Sequence, residues 1–311
     1  MSSFSELPTD LHLLIFTDYC DDIDLQMMKN VNKKFYELIS INFETDVNLH
    51  DICFRGYLNI LKWIDENIKV KWSNIHTNGA AKGGHLNVME WLKDKNIVLC
   101  SENYIHAILG NNLHVMKWLR EKNIPFPTTN MIVLAAEHGN IEMMKWLKDD
   151  GCIFGGLASE RAAHGGKIDN LKWLIVENGC DLTENIFRGA AKNGNIEMLK
   201  WLKEIGCPWN ENAFVEAAGN GNIENLKWLK EMGCPWNDTS YDYAAGNRNI
   251  KVLEWLKENN CPKGTKSYYY AATNGHFSIL KWLKENNFDW DQDTTYGAAY
   301  SGHLEMFELL K

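Results

Sequence analysis

Apolar and polar residues follow a helical spacing that recurs along most of the chain. In the stretch 212–236, Ile223, Leu226 and Leu229 lie three residues apart, so a helix would place all three on one face. A shorter helix with a pair of alanines precedes them, and a glycine between the two helices can take the left-handed conformation that ends the first. The pattern therefore predicts helix, tight turn, helix and short loop, without a strand signal.

This pattern recurs every 27 or 28 residues, and tryptophan marks each unit. The tryptophans that set the period stand at positions 63, 91, 118, 146, 173, 201, 228, 255 and 282. One further step of 27 reaches Leu309, which gives ten units over 46–311. Units of this length bury their apolar faces by stacking on their neighbours. The sequence therefore predicts an all-α solenoid of about ten short helix-turn-helix repeats, in which the tryptophans pack between repeats; the alternative is an aromatic ladder that binds a ligand.

At two positions in each unit, the residue type predicts a left-handed backbone conformation. The first lies seven residues before the tryptophan and is usually glycine, at 56, 84, 139, 166, 194, 221, 275 and 302; Asn111 and Arg248 replace it in two units. The second ends the second helix and is glycine or asparagine, at 67, 96, 123, 151, 179, 206, 233, 260 and 287. Both residue types tolerate the left-handed conformation that stops a helix.

The repeat resembles the ankyrin repeat. The shared pattern is Ala-Ala-x-x-Gly-His/Asn-Leu/Ile-Glu-x-Leu-Lys-Trp-Leu-Lys-x-x-Gly-Cys, and it covers about 265 of the 311 residues. The period is about 27 residues against 33 in that family, so we expect its β-hairpin fingers to be lost or reduced to turns. Short, Trp-rich repeats of this kind are also similar to those of large DNA viruses of amoebae. The resemblance implies a protein-binding scaffold whose first helices line the binding face.

Residues 1–45 do not fit the repeat and predict a small helical module. Apolar residues with helical spacing surround an acidic break at 21–24. The segment resembles an F-box, which implies that it binds a Skp-type adaptor of a cullin ubiquitin ligase through Leu7, Pro8, Leu11, Ile15, Phe16, Leu25 and Phe35. A three-helix unit this small leaves part of its apolar surface exposed, as a docking site requires. The alternative is a helical cap that only covers the open face of the first repeat.

Composition narrows the classes of partner. The formal net charge is −9, which disfavours general binding to nucleic acid. No apolar stretch reaches the length of about 20 residues that a membrane span needs, and the N-terminus lacks the features of a secretory signal. We therefore expect a cytoplasmic protein, in the host cytoplasm if it is viral, whose eight cysteines are free thiols.

Cysteine and histidine recur at fixed repeat positions rather than in metal-binding or catalytic patterns. Cysteines at 152, 180, 207, 234 and 261 occur once per repeat, too far apart to share a metal ion or form disulfides, so we interpret them as small core residues. His85, His276 and His303 share a turn position that favours a structural hydrogen bond. The sequence thus predicts no enzyme, cofactor, metal or small-molecule substrate.

Tyrosines are concentrated near the C-terminal end, where seven of eleven lie between 241 and 300. Tyr241 and Tyr268 occupy a usual core position, whereas Tyr243, Tyr270 and Tyr300 do not. Exposed tyrosines are favoured binding anchors, so these three are predicted to bind a protein target. The alternative is a local drift toward aromatic packing. Together with the F-box resemblance, the sequence predicts a substrate-recruiting adaptor of a ubiquitin ligase; the competing prediction is a scaffold or inhibitor with no ubiquitin link.

Overall fold

A computed structural model describes residues 46–67, 70–127, 131–290 and 292–303. The chain divides into two compact units, 1–131 and 132–311, which we call the N-terminal and C-terminal blocks. The seven predicted adaptor-binding residues lie outside the described residues: Leu7, Pro8, Leu11, Ile15, Phe16, Leu25 and Phe35. The predicted F-box module and its boundary at residue 45 therefore stay predictions.

The N-terminal block consists of helix pairs. Its first helices are Asp46–Arg55, Asn74–Gly83 and Glu102–Leu109, and its second helices are Leu58–Asn67, Leu86–Asp94 and Leu113–Glu121. The three first helices pack against one another in sequence, and each also packs against its own second helix. The block is thus a stack of helix pairs, as the period predicts. One further helix, Met131–His138, begins at the last residue of this block.

The C-terminal block continues the same pairing. Its remaining first helices are Gly156–His164, Glu184–Asn193, Glu211–Asn220, Thr239–Gly246, Ser267–Thr273 and Gln292–Tyr300. Its second helices are Ile141–Asp149, Ile168–Lys172 with its π-helical continuation Trp173–Glu177, Ile196–Glu204, Ile223–Glu231, Ile250–Glu258 and Phe277–Glu285. No strand occurs in the described residues of either block, so the loops between repeats carry no β-hairpin there. The all-α repeat prediction is confirmed.

Most of the predicted left-handed positions are confirmed; Gly139 differs, and Asn67 is the last residue of the helix Leu58–Asn67. Gly84 and Gly221 have φ of 86° and 90°, and Arg248, which replaces glycine, still adopts 60°. Gly139 was expected to be left-handed and is not: its amide donates to the carbonyl of Ala135 at 2.9 Å, as in a continuing helix. The following residue, Asn140, is extended at φ −130° and its side chain accepts from the Met143 amide, so it makes the turn instead.

Tryptophans at the repeat position lie in the packing between repeats. Trp118, Trp173 and Trp255 are buried, with 5 to 9% of each residue exposed, and the others whose side chains are described are half-buried. Loop aromatics contact them edge-on: the Trp236 ring lies 6.2 Å from Trp255, and Phe154 lies 5.1 Å from Trp173. The predicted packing role is confirmed for these rings, since large ring area is buried against the next repeat.

A lysine replaces the loop aromatic in one repeat. Lys263 stands where Trp209 and Trp236 stand in the two preceding repeats. Its Nζ donates to the carbonyls of Asn286 and Asn287 at 3.1 and 2.8 Å. These carbonyls directly follow the helix Phe277–Glu285, where a cation is favourable, and the same Nζ lies 4.9 Å from the centroid of the Phe288 ring. Lys263 therefore joins the two repeats by hydrogen bonds and a cation–π contact.

One inserted residue explains the π-helical turn. The spacing from Trp173 to the next repeat tryptophan is 28 residues, one more than in the repeats that follow. The Asn178 side chain bonds to the carbonyl five residues earlier, whereas Asn259 bonds to the carbonyl four residues earlier, that of Trp255. The second helix accommodates the extra residue as a π-bulge, and the left-handed glycine that follows it, Gly179, again occupies its usual place.

Candidate functional site

The predicted target-binding tyrosines lie on the first helices of the C-terminal block. Tyr243 has 38% of its surface exposed, Tyr300 has 82%, and Tyr270 is half-buried. Tyr241 and Tyr268 are each 2% exposed, which confirms that they are core residues. Burial raises the pKa of the Tyr268 hydroxyl to about 12. The two core tyrosines are therefore separated from Tyr243 and Tyr300, which are exposed, and from Tyr270, which is half-buried.

The three predicted tyrosines do not share one repeat position. Tyr243 and Tyr270 are equivalent residues of successive repeats, whereas Gly297 occupies that position in the next and Tyr300 lies three residues later. Tyr300 instead stacks on Tyr296, with ring centroids 6.0 Å apart and planes 22° apart.

Two further tyrosines were not predicted as site residues. Tyr269 contacts the Tyr270 ring edge-on at 5.5 Å, and Tyr296 is 67% exposed. Their signal in the sequence was adjacency to the predicted residues on the same helix. With Tyr243, Tyr270 and Tyr300 they form what we call the tyrosine face.

Glycines let each tyrosine-bearing helix approach the preceding repeat. A Cβ added at Gly219 would lie 3.4 Å from Tyr243 Cδ1, and one at Gly246 would lie 3.3 Å from Tyr270 Cβ. A Cβ at Gly297 would lie 3.1 Å from the Tyr269 ring. These contacts are close, so small residues in one repeat set the position of the rings in its neighbour.

A buried carboxylate links two of the tyrosine-bearing helices. Asp242 is 5% exposed, and its Oδ1 accepts from the Ser267 hydroxyl at 2.7 Å and from the Lys266 amide at 3.2 Å. Those two groups begin the helix Ser267–Thr273, so Asp242 caps the helix of the next repeat. Burial is the main cause that raises the pKa of this carboxyl, and it outweighs the hydrogen bonds that favour its charge. A Cβ at Gly264 would lie 2.1 Å from the same Oδ1, which explains the glycine there.

Histidines and asparagines at the turn bind the preceding repeat. A ring nitrogen of His276, Nε2, lies 3.0 Å from the Gly246 carbonyl, and Asn249 Nδ2 lies 2.7 Å from the Gly219 carbonyl. The predicted structural role is confirmed for His276. His85 hydrogen-bonds the Phe54 backbone, and burial lowers the pKa of its ring.

Three buried cysteines of the row also form hydrogen bonds. Cys207, Cys234 and Cys261 are buried, and their thiols point at loop carbonyls of the preceding repeat at 3.4 to 3.6 Å. Burial raises the pKa of Cys207 to about 11 and that of the other two to about 12. Cys152 and Cys180 are only half-buried, so the core prediction holds for three of the five.

The described ranges contain neither a metal-binding cluster nor a membrane-spanning helix. No cluster of three or more His, Cys, Asp or Glu side chains there could hold a metal ion. Within the same ranges, no helix combines the length and the apolar character that crossing a bilayer requires.

Comparison with known proteins identifies part of the array. Residues 187–267 match the family model described as ankyrin repeats in three copies, which confirms the predicted resemblance for that span. No curated protein matches the chain.

Solved structures show weaker likenesses. The crystal structure of the human ASB11 ankyrin repeat domain is 18% identical, with 58% of this chain and 82% of that chain covered and a TM-score of 0.29. The pentatricopeptide repeat protein PPR10 from maize is 13% identical, with 94% and 51% covered and a TM-score of 0.35. This chain spans about half the length of PPR10. Both TM-scores are low, so neither structure supports a conclusion about this chain.

Proposed function

We propose that this chain is a non-catalytic protein-interaction scaffold that holds a protein target on the tyrosine face. The observation that carries the proposal is the exposure of Tyr243, Tyr296 and Tyr300 on neighbouring first helices of a helical repeat array. Aromatic side chains that are held rigidly by their helices bury large area with little loss of entropy, which suits a binding surface. The ankyrin repeats at 187–267 support the same class of function.

The finer proposal is that the chain recruits its target to a cullin-type ubiquitin ligase. Its support is the F-box resemblance of residues 1–45, with Leu7, Pro8 and Ile15 among the residues that would contact a Skp-type adaptor. Holding target and ligase together would raise the effective concentration of target lysines. The competing function is a scaffold or inhibitor without a ubiquitin link, in which residues 1–45 act only as a cap.

One capture experiment separates the two functions. The full chain and the double variant Ile15→Asp/Phe16→Asp are each mixed with purified Skp-type adaptor. The adaptor function predicts capture by the unchanged chain and loss of capture by the double variant, with the melting curve of the repeats preserved. A folded chain that never retains adaptor favours the scaffold or inhibitor.

A second variant tests the binding face in the same format. Replacing Tyr243, Tyr270 and Tyr300 together by alanine should abolish target capture and leave adaptor capture intact. Target binding that persists in this folded triple variant would show that the tyrosine face is not the binding surface.

A further inference from the structure

A row of asparagines runs beside the tyrosine face. Asn193, Asn220, Asn247 and Asn274 occupy one position in four successive repeats, and all four are exposed. Each donates one Nδ2 hydrogen to a backbone carbonyl at 2.9 to 3.1 Å, and in three of them that carbonyl belongs to the preceding repeat. An amide has two N–H donors and a carbonyl oxygen, so each retains one donor and an acceptor for a bound chain.

Rings and amides stand side by side in two consecutive repeats. A Cβ at Gly219 would meet both Tyr243 Cδ1 and Asn247 Nδ2, at 3.4 and 3.3 Å. A Cβ at Gly246 would likewise meet Tyr270 Cβ and Asn274 Nδ2, at 3.3 and 3.5 Å. In these two repeats an aromatic ring therefore lies next to an exposed amide, and a glycine of the preceding repeat packs against both.

The spacing of the rows selects the conformation of a bound chain. Packed helices stand about 8–10 Å apart, so equivalent residues of successive repeats recur at about that distance. A polyproline II helix returns to the same face every three residues, which at about 3.1 Å per residue is about 9.3 Å. A β-strand returns every two residues, or about 6.6 Å, and would fall out of step after one repeat. Polyproline II also leaves its carbonyls free for donors, and aromatic-lined grooves bind it.

Charge sets one end of the bound segment. Arg188 and Lys192 are exposed on the first helix Glu184–Asn193, where the asparagine row begins, and neither makes an ion pair within the described residues. The tyrosine-bearing helices contribute Asp242, which is buried, and Asp293, which is exposed at the opposite end of the row. Glu216 takes the place of Tyr243 in the preceding repeat and is half-buried. An acidic group on the partner would complement the two cations at this end.

We infer that the tyrosine face and the asparagine row bind a proline-rich protein segment in polyproline II conformation, with acidic residues at the end that lies over Arg188 and Lys192. This inference rests on the proposed function and names the chemical class of its target. One proline in three would lie on Tyr243, Tyr270 and the tyrosines beyond, and the asparagine amides would bond the segment's carbonyls.

Labelled synthetic peptides and the full chain provide the test by fluorescence anisotropy. The probe is nine prolines with three acidic residues, made with the acidic group at either end. We expect one of the two to bind saturably, and at least tenfold more tightly than a peptide with basic residues in place of the acidic ones. A strand-forming Thr-Val peptide and a Gly-Ser peptide, each with the same acidic group, should also bind at least tenfold more weakly.

Matched variants locate the binding. Tyr270→Ala and Asn247→Ala should each weaken binding by about fivefold or more, whereas Tyr270→Phe, which keeps the ring, should stay within twofold. Phe277→Ala is the control, because Phe277 is 45% exposed on the second helix of the same repeat as Tyr270. It should leave binding unchanged, and unchanged melting curves show that each variant is folded.

Several results would overturn the inference. They are the absence of saturable binding by both proline peptides, equal binding of the strand-forming peptide, and indifference to Tyr270→Ala in a folded chain. If the peptides fail while the triple tyrosine variant still loses target capture, the occupant is wrong and the proposed function stands. If target capture is also indifferent to the tyrosines, both are wrong.

Discussion

Replacing Asn225 by valine should stabilise the protein. Asn225 is fully buried on the second helix Ile223–Glu231, and neither Nδ2 nor Oδ1 of its side chain has a hydrogen-bond partner among the described residues. The equivalent residues of the flanking repeats, Met198 and Val252, are apolar and at most 1% exposed. Valine therefore fits both the chemistry and the size of this position.

Leaving a buried amide unpaired costs about 1–3 kcal/mol, and the substitution removes that cost. We expect Asn225→Val to raise the free energy of opening this repeat by a similar amount. Asn170 is the matched control, because it occupies the equivalent position but donates to the carbonyls of Ala135, Ala136 and Gly139 at 3.1 to 3.4 Å. Asn170→Val should lower stability by about 1 kcal/mol.

Hydrogen exchange measures both effects locally, since long repeat arrays depart from two-state unfolding. A gain of about 2 kcal/mol would slow exchange of the amides in Ile223–Glu231 about thirtyfold. Faster exchange in Asn225→Val, or the same response in both variants, would refute the reasoning, because it would show that the Asn225 amide is paired.

Three further outcomes follow from the packing. Burial in the folded state raises the pKa of the Asp242 carboxyl. As the pH rises above about 3.9, this carboxyl therefore ionises first in the unfolded chain. The free energy of unfolding should fall from that pH until the carboxyl of the folded chain is also charged. Asp242→Asn should flatten that part of the stability curve in denaturant titrations at several pH values. Trp255→Ala should cost about 3–5 kcal/mol, whereas Trp290→Ala, at a residue 48% exposed, should cost far less; denaturant midpoints compare them. Mass spectrometry after iodoacetamide treatment at neutral pH should find four thiols slow to react, because burial raises their pKa values to about 11 or 12: Cys53, Cys207, Cys234 and Cys261.

The period and the turns could be predicted from the sequence because the same residue types recur at the same positions in successive repeats. Even Arg248, a poor left-handed residue, adopts φ 60°, since the helices on either side fix the turn it occupies. The core positions of Tyr241 and Tyr268 followed in the same way, from the residues that share their position in other repeats.

Interactions between particular repeats could not be predicted. Asn170 and Asn225 are the same residue at the same position, yet the side chain of Asn170 bonds to carbonyls of the preceding repeat and that of Asn225 has no partner among the described residues. The bond from Asp242 to the next helix joins groups 25 residues apart that no local pattern connects. The stacking of Tyr296 on Tyr300 likewise depends on side-chain placement rather than on spacing.

Hydrogen exchange on the full chain with and without its captured target tests the central claim most directly, namely that the tyrosine face is the binding surface. The account predicts slower exchange in the first helices Thr239–Gly246 and Ser267–Thr273, with the second helices Ile250–Glu258 and Phe277–Glu285 unchanged. Protection confined to those second helices would contradict it.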